Sequence, residues 1–207
     1  MYQSLPRGLY AITPNDVADS DTLIDLAREA LEGGARTLQY RASSVDALER
    51  DVAVQLRGLC TELSACFIIN DDPMLALDCG ADGVHLGRRD MSVSHARQLL
   101  GNHSIIGVSC YDELDRVLRA ERADASYVAL GSFFHSRTKP DAVRADLALL
   151  GEAVARSSLP VVTIGGITPE NGAPLVEAGA HAIAAISGLF SSPDVKAAAG
   201  DYRALFD

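Results

Sequence analysis

Lysine and tryptophan are scarce in this chain of 207 residues. Tryptophan is absent, aromatic residues make up 5% of the chain, and the two lysines are Lys139 and Lys196. We therefore expect a core of mainly aliphatic side chains, and any lysine that the chemistry requires must be one of these two. The hydrophobic content of 48% excludes an intrinsically disordered chain.

A basic patch is also missing. The 18 Lys and Arg residues are outnumbered by 28 Asp and Glu residues, which gives a net charge of −10, and the arginines are scattered among acids. Because an acidic surface repels a phosphate backbone, nucleic acid is not an expected partner.

No segment has the layout of a signal peptide, and no apolar run approaches the ~20 residues of a membrane helix. We therefore expect a cytoplasmic protein that does not bind membranes.

The four cysteines, Cys60, Cys66, Cys79 and Cys110, show no C-x-x-C spacing, so buried free thiols are favoured over a disulfide or a metal site.

A glycine-alanine pair recurs at positions 34, 80 and 179, separated by 46 and 99 residues. Each pair follows an amphipathic stretch and precedes an apolar run, which is typical of a helix that ends at a residue with positive φ before a strand. The separations fit two and four repeats of about 25 residues, the size of a βα unit. A chain of this length would hold about eight such units.

Short apolar or β-branched runs indicate eight strands that are covered on both faces, as in a parallel sheet. The runs are residues 9–13, 37–41, 67–70, 83–86, 105–109, 127–130, 161–164 and 183–186. They predict an α/β fold in which residues 1–207 form one domain, a (βα)8 TIM barrel with parallel strands. The alternative is an open doubly wound sheet, which usually has about five or six strands.

In a barrel, function lies at the carboxyl ends of the strands, where this sequence places many polar residues. Asp71 and Asp90 follow neighbouring strands and could hold Mg²⁺. Helix capping is the alternative for each, and capping is favoured for Asp72. His85 lies inside a strand, where packing or a hydrogen bond is favoured over catalysis, and a structural role is favoured for His181.

Two glycine turns suggest phosphate binding. Gly165-Gly166 precedes a helix start at Thr168-Pro169, and Ser187-Gly188 follows the last strand. Backbone N–H groups in such loops often hold phosphate in barrels, although a plain tight turn is the alternative. The loop 136–139, with its hydroxyls and Lys139, could also bind phosphate or could be a solvated surface loop. Together these features predict two phosphate regions, one of them with a metal.

The chain closely resembles the thiamine-phosphate synthase family. The motifs that carry the resemblance are LYAIT at 9–13, LQYR at 38–41, IND at 69–71, GADGVHLG at 80–87 with Asp90, IGVS at 106–109, SRTK at 136–139 and IGGI at 164–167. The resemblance implies a transferase of thiamine biosynthesis. Such an enzyme joins 4-amino-2-methyl-5-hydroxymethylpyrimidine diphosphate to a thiazole phosphate and releases diphosphate.

The resemblance also implies roles by position. Asp71 and Asp90 would hold Mg²⁺ as the cofactor, and Arg41, Lys139 and Ser109 would be the catalytic residues. The pyrimidine diphosphate would be bound at Gln39, Arg41, Ser43, Asn70, Ser109 and Lys139. The thiazole phosphate would be bound at Ser136, Arg137, Thr138, Gly166, Ile186 and Ser187.

The main departure from the family pattern is Ser43, because the family usually has a lysine there that contacts diphosphate. Two alternatives therefore stay open. One is a thiazole tautomerase-like isomerase, which would carry a histidine where this chain has Tyr111. The other is a catalytically weak paralogue that binds thiamine intermediates. The sequence also leaves open whether the chain forms a homo-oligomer.

Overall fold

Eight parallel strands close into a barrel in the computed structural model, which describes residues 4–41, 47–135 and 143–207. The strands are β1 (Gly8–Ile12), β2 (Thr37–Tyr40), β3 (Cys66–Asn70), β4 (Gly83–Leu86), β5 (Ile105–Tyr111), β6 (Tyr127–Gly131), β7 (Val161–Ile164) and β8 (Ala182–Ala185). The helices are α1 (Ser20–Glu32), α2 (Ala47–Glu62), α3 (Pro73–Cys79), α4 (Val93–Leu100), α5 (Leu114–Arg122), α6 (Leu147–Arg156), α7 (Pro169–Glu177), α8 (Ser187–Phe190) and α9 (Val195–Ala204).

Each strand pairs in parallel with the next one along the chain, and β8 returns to pair with β1. Leu9 lies opposite Ile183 in this last pairing. The predicted (βα)8 barrel is confirmed, and the open doubly wound sheet is excluded because the sheet has no free edge.

The predicted strands agree with the observed ones to within two residues, and the largest difference lies at β5. This strand continues to Tyr111, and α5 begins at Leu114. Tyr111 has a φ of +56°, which turns the chain before the helix starts. Glu113 makes no capping hydrogen bond with its side chain and instead pairs with Arg88.

The three glycine-alanine pairs end helices as predicted. Gly34, Gly80 and Gly179 have φ values of +118°, +68° and +100°. Gly80 is a left-handed cap whose N–H donates to the carbonyl of Ala76. Glycine is favoured at such a position because a side chain with a Cβ is strained there.

Two hydrophobic layers hold the barrel together. The larger one lies between the strands and the helices, and the smaller one fills the barrel interior with side chains that include Tyr10 and Tyr127. Leu5, which precedes β1 and is 2% exposed, belongs to the interior layer and closes the amino-terminal end of the barrel. Nε2 of His181 lies 2.8 Å from the carbonyl oxygen of Leu5, so the structural role expected of His181 is confirmed.

All four cysteines are buried and free, as predicted. Burial raises the pKa of Cys60 and of Cys110 to about 12, so these thiols stay protonated at neutral pH.

In the described part of the chain, no helix is both long enough and apolar enough to cross a bilayer.

Gly107 makes room for an aromatic ring in the barrel interior. A Cβ placed on Gly107 would fall 2.0 Å from a ring carbon of Tyr127, a fully buried residue. A Cβ on Gly151, in α6, would meet nothing within 4 Å. The two glycines therefore form a matched pair for testing the packing.

We expect Gly107→Ala to lower the free energy of unfolding by about 3 kcal/mol, because the ring cannot move without disturbing the interior. Gly151→Ala should raise it by about 0.5 kcal/mol, because alanine favours the helix. Urea denaturation of both variants measures the difference. Equal stability of Gly107→Ala and the parent chain would show that the ring does not pack against Gly107.

Candidate active site

A hydrogen bond between two side-chain amides joins β2 to β3 at the carboxyl ends of the strands. Nε2 of Gln39 donates to Oδ1 of Asn70 at 2.7 Å, and Gln39 is only 3% exposed. This bond uses one hydrogen of Gln39 and one lone pair of Asn70, so each amide retains further hydrogen-bonding capacity. The structure thus brings together two of the predicted diphosphate-binding residues.

Arg41 follows β2 and is held by its backbone. Its N–H donates to Oγ1 of Thr13 at 2.9 Å, and Thr13 is fully buried at the end of β1. Arg41 is half-buried as a residue, and the charge of its guanidinium acts on Asp71. Arg41 therefore supplies a fixed positive charge at the opening of the barrel.

Asp71 and Asp90, the two predicted metal ligands, interact directly. Although Asp71 is an exposed residue, its carboxyl group is partly buried. This burial, together with the hydrogen bond and the charge of Asp90, raises the pKa of Asp71 to about 6. Asn70 and Arg41 oppose the rise. Two carboxyl groups in contact share a proton or a cation, because they cannot both be ionised without repulsion.

The loops after β3 and β4 set this contact. Asp71 has a φ of +64°, and its N–H donates to the carbonyl of His85 at 2.8 Å. Asp90 accepts the backbone N–H of Gly87 at 2.6 Å. The next residue, Asp72, accepts the N–H groups of Met74 and Leu75, so its predicted role as the cap of α3 is confirmed.

The acidic pair fits Mg²⁺. This ion takes one or two carboxylates and completes its octahedron with water and substrate phosphate oxygens. The described residues contain no group of three His, Cys, Asp or Glu side chains that could enclose a metal, and an Mg²⁺ site of this open kind needs none. The contact between the carboxyl groups of Asp71 and Asp90 marks the place where a divalent cation would relieve their repulsion.

Ser109, on β5, contacts the side chain of His85, the residue whose backbone carbonyl accepts the N–H of Asp71. Nε2 of His85 is 2.9 Å from Oγ of Ser109, and the carbonyl of Ser109 accepts Nε of Arg116 at 2.6 Å. His85 is 9% exposed and makes the hydrogen bond expected for it. Ser109 is thus fixed through both its side chain and its backbone, near the carboxyl end of β5.

The two glycines after β7 allow a close approach to the segment after β6. A Cβ on Gly165 would fall 2.0 Å from Oγ of Ser132, and one on Gly166 would fall 2.1 Å from the carbonyl oxygen of His135. Thr168 then caps α7 with Pro169 in its first turn, as predicted. Ser187 begins the short helix α8 directly after Ile186, so both turns lead into helices.

Several predicted site residues lie outside the described part of the chain. They are Ser43, Ser136, Arg137, Thr138 and Lys139. The described residues on either side of positions 136–142 are held together, because Ser132 exchanges backbone hydrogen bonds with Val143 and Ala145. The described residues on the two sides of this gap, Ser132–His135 and Val143–Ala145, therefore meet at the end of β6, and His135 lies beside Gly166.

The other lysine lies at the opposite end of the barrel. Nζ of Lys196 is 2.8 Å from Oε2 of Glu32, the last residue of α1. Because α1 returns from the carboxyl end of β1 to the amino end of β2, its last turn lies at the amino-terminal side of the strands. Any lysine that acts at the candidate site must therefore be Lys139.

Sequence reasoning missed the aromatic residues around this site. The hydroxyls of Tyr10 and Tyr127 lie 2.7 Å apart in the interior, and Nδ1 of His85 lies 2.9 Å from that of Tyr127. Their positions inside strands predicted burial, but nothing local predicted a contact across 117 residues. Near the acidic pair, the ring of Tyr111 packs against Arg88 and Arg116, whose guanidinium carbons lie 4.9 and 5.5 Å from the ring centre.

The closed barrel and its polar carboxyl-terminal side define the class: the protein is a TIM-barrel enzyme. The sequence profile described as thiamine monophosphate synthase matches residues 9–189, most of the barrel. The chain belongs to the thiamine monophosphate synthase family.

Individual relatives agree with this assignment. A thiamine-phosphate synthase of Nitrosococcus oceani is 49% identical over 97% of this chain and 93% of its own length. One of Chromobacterium violaceum is 51% identical over 93% of each chain. The solved structure of a thiamine phosphate pyrophosphorylase from Pyrococcus furiosus matches with a TM-score of 0.87 at 35% identity, covering 96% of this chain and 94% of its own. An orotidine 5'-phosphate decarboxylase from Pyrococcus horikoshii, 14% identical with a TM-score of 0.67, shares the fold alone.

The raised pKa of Asp71 has a consequence for stability. Because its pKa is higher in the folded chain than its ordinary value of 3.8, the acidic pair costs stability above about pH 6 and progressively less as the pH falls toward 4. In EDTA at pH 8, we expect Asp90→Asn to raise the free energy of unfolding by about 1 kcal/mol, a value reduced for solvent screening.

Urea denaturation at pH 8 and pH 5 measures this effect, and the gain should be smaller at pH 5. Asp201→Asn, on the exposed side of α9, removes the same charge away from the site and serves as the control. If the two variants behave alike at both pH values, the carboxyl groups of Asp71 and Asp90 do not interact.

Proposed function

We propose that this chain joins 4-amino-2-methyl-5-hydroxymethylpyrimidine diphosphate to a thiazole phosphate, giving thiamine phosphate and diphosphate. The observation that carries the proposal is the contact between Asp71 and Asp90, set beside Arg41 and the Gln39–Asn70 amide pair. This arrangement suits the binding of a diphosphate together with a divalent cation. The family and its thiamine-phosphate synthase relatives support the same reaction.

The reaction needs a leaving group that can depart as an anion. The C–O bond to diphosphate breaks and its electron pair goes to the diphosphate; the thiazole nitrogen then supplies the electron pair of the new C–N bond. Arg41 and Lys139 would bind the departing oxygens, and Ser109 would donate a hydrogen bond to them. Mg²⁺ held by Asp71 and Asp90 would supply further positive charge to the diphosphate. The step requires no general base, because the reacting carbon of the pyrimidine substrate loses no proton.

The amide pair would fix the pyrimidine half. Gln39 and Asn70 bond to each other and so present their remaining donors and acceptors in a fixed direction. Holding the reacting carbon in one orientation lowers the entropic part of the barrier.

The thiazole phosphate would bind at the two glycine turns. Gly166 approaches the backbone of His135 closely, so the start of α7 lies beside the described residue that precedes Ser136, Arg137 and Thr138 in the sequence. Backbone N–H groups at Gly166, Ile186 and Ser187 would complete this region. The two anionic substrates would then occupy opposite sides of one opening.

The tautomerase-like alternative finds no support in the site. The residue at the position of its histidine is Tyr111, whose ring is stacked on Arg88 and Arg116. A phenol next to two guanidinium groups is not the imidazole base that this alternative requires. The assay below separates the weak paralogue, an alternative that rests on Ser43, which lacks the ammonium group of the family.

We further propose a cytoplasmic enzyme without nucleic-acid or membrane partners. Its four buried free thiols suit a reducing compartment, and the net charge of −10 disfavours polyanions. The homo-oligomer stays a prediction.

Incubation of the purified chain with both substrates and Mg²⁺ tests the reaction. We expect equimolar diphosphate and thiamine phosphate, and loss of both products in EDTA. Release of diphosphate without thiamine phosphate, or isomerisation of the thiazole alone, would contradict the proposed reaction. Binding of both substrates without turnover would favour the weak paralogue.

Position 43 offers a gain-of-function test. We expect Ser43→Lys to raise kcat about tenfold or more, because an ammonium group would again contact the leaving diphosphate. Ser44→Lys adds the same charge one residue away and should change kcat much less. An unchanged or lower kcat for Ser43→Lys would mean that another cation, such as Lys139, already fills this role.

A further inference from the structure

Four side chains form a hydrogen-bonded row from the barrel interior to its carboxyl-terminal opening. The bonds join Tyr10 to Tyr127 at 2.7 Å, Tyr127 to Nδ1 of His85 at 2.9 Å, and Nε2 of His85 to Ser109 at 2.9 Å. Tyr10 and Tyr127 are 2% and 0% exposed, His85 is 9% exposed, and Ser109 is partly exposed. We call this row the interior relay.

The interior relay has two consistent directions. With a neutral imidazole, each of the four side chains carries one mobile hydrogen, and the three bonds use three of them. If donation runs toward the opening, the unused hydrogen belongs to Ser109. If donation runs inward, the unused hydrogen belongs to Tyr10.

Burial decides between the two directions. Among the described residues, Tyr127 is the one hydrogen-bond partner of the Tyr10 hydroxyl, so inward donation would leave a buried O–H without an acceptor. Such a group loses its hydration with no compensation, whereas the O–H of Ser109 can face the opening.

The two phenols keep their protons in this setting. Burial raises the pKa of Tyr10 and of Tyr127 well above the ordinary value of 10. Each phenol therefore has one hydrogen to donate at neutral pH, as the outward direction requires.

We propose that Tyr127 and His85 are positioning residues that make Ser109 a hydrogen-bond donor toward the ligand. Tyr10 donates to Tyr127, and Tyr127 donates to Nδ1 of His85. This fixes the tautomer with hydrogen on Nε2, which donates to Oγ of Ser109 and leaves the serine hydrogen pointing outward. The functional part of the inference depends on the proposed function, in which Ser109 contacts the leaving diphosphate oxygens.

The tautomer can be measured without substrate. In ¹⁵N-labelled protein, we expect Nε2 of His85 to be protonated and Nδ1 to be a bare acceptor, with the signals assigned by their loss in His85→Gln. Tyr10→Phe should keep this tautomer, because Tyr127 still has its hydrogen to donate. Tyr127→Phe should allow both tautomers. A hydrogen on Nδ1 in the parent chain would overturn the relay.

Kinetics test the effect on Ser109. We expect Tyr127→Phe to lower kcat about tenfold with little change in KM, because a misdirected serine hydrogen weakens binding of the transition state. The same substitution should have little further effect in a Ser109→Ala background. His85→Gln, whose amide N–H can replace that of Nε2, should retain more activity than His85→Leu.

Thr163→Val provides the matched control. It removes another fully buried hydroxyl of the barrel strands, one that donates to the carbonyl of Ala182 outside the relay, and it should change kcat less than twofold. If Tyr127→Phe and Ser109→Ala reduce kcat by independent factors, the relay is structural and the proposal is wrong. If the parent chain makes no thiamine phosphate, the proposed function fails, while the tautomer measurement still decides the direction of the relay.

Discussion

The parallel pairing of β8 with β1 closes the sheet, and the candidate site depends on this closure. Without it, residues from β2 and from the loop after β8 would lie at opposite edges of an open sheet. Closure brings the carboxyl ends of all eight strands into one ring. Amides, carboxylates and glycine turns that are far apart in the sequence then surround a single opening, where two anionic substrates could meet.

The candidate site must bind anionic substrates although the chain as a whole is acidic. The protein carries a net charge of −10, and Asp71 and Asp90 add local negative charge at the point where a diphosphate would bind. The proposed site is attractive to anions only if Mg²⁺, Arg41, Lys139 and backbone N–H groups outweigh these acids. With Lys196 at the other end of the barrel and Ser43 in place of the usual lysine, Lys139 has no second lysine to support it.

The fold followed from repetition in the sequence. The apolar runs and the junctions at Gly34, Gly80 and Gly179 depend on local preferences, so eight βα units and their approximate ends could be predicted. Contacts between strands could not, because they depend on register and on which face each side chain occupies. The bond between Tyr10 and Tyr127 joins residues 117 apart, and the stacking of Tyr111 on Arg88 depends on a positive φ that no local motif requires. Asp71, Asp90 and the glycine turns could be named as candidates from their positions at strand ends, whereas the roles of Gln39, Asn70 and Ser109 came from the resemblance. The raised pKa of Asp71 could not be predicted from the sequence, because it depends on the distance between two side chains.

Leu5 closes the amino-terminal end of the barrel, and His181 holds its carbonyl group. With this end closed and the interior filled by side chains, no ligand can reach the polar groups through the amino-terminal end. Solvent and ligands therefore approach residues such as Ser109 only from the carboxyl-terminal side, which leaves the amino-terminal end free to serve stability alone.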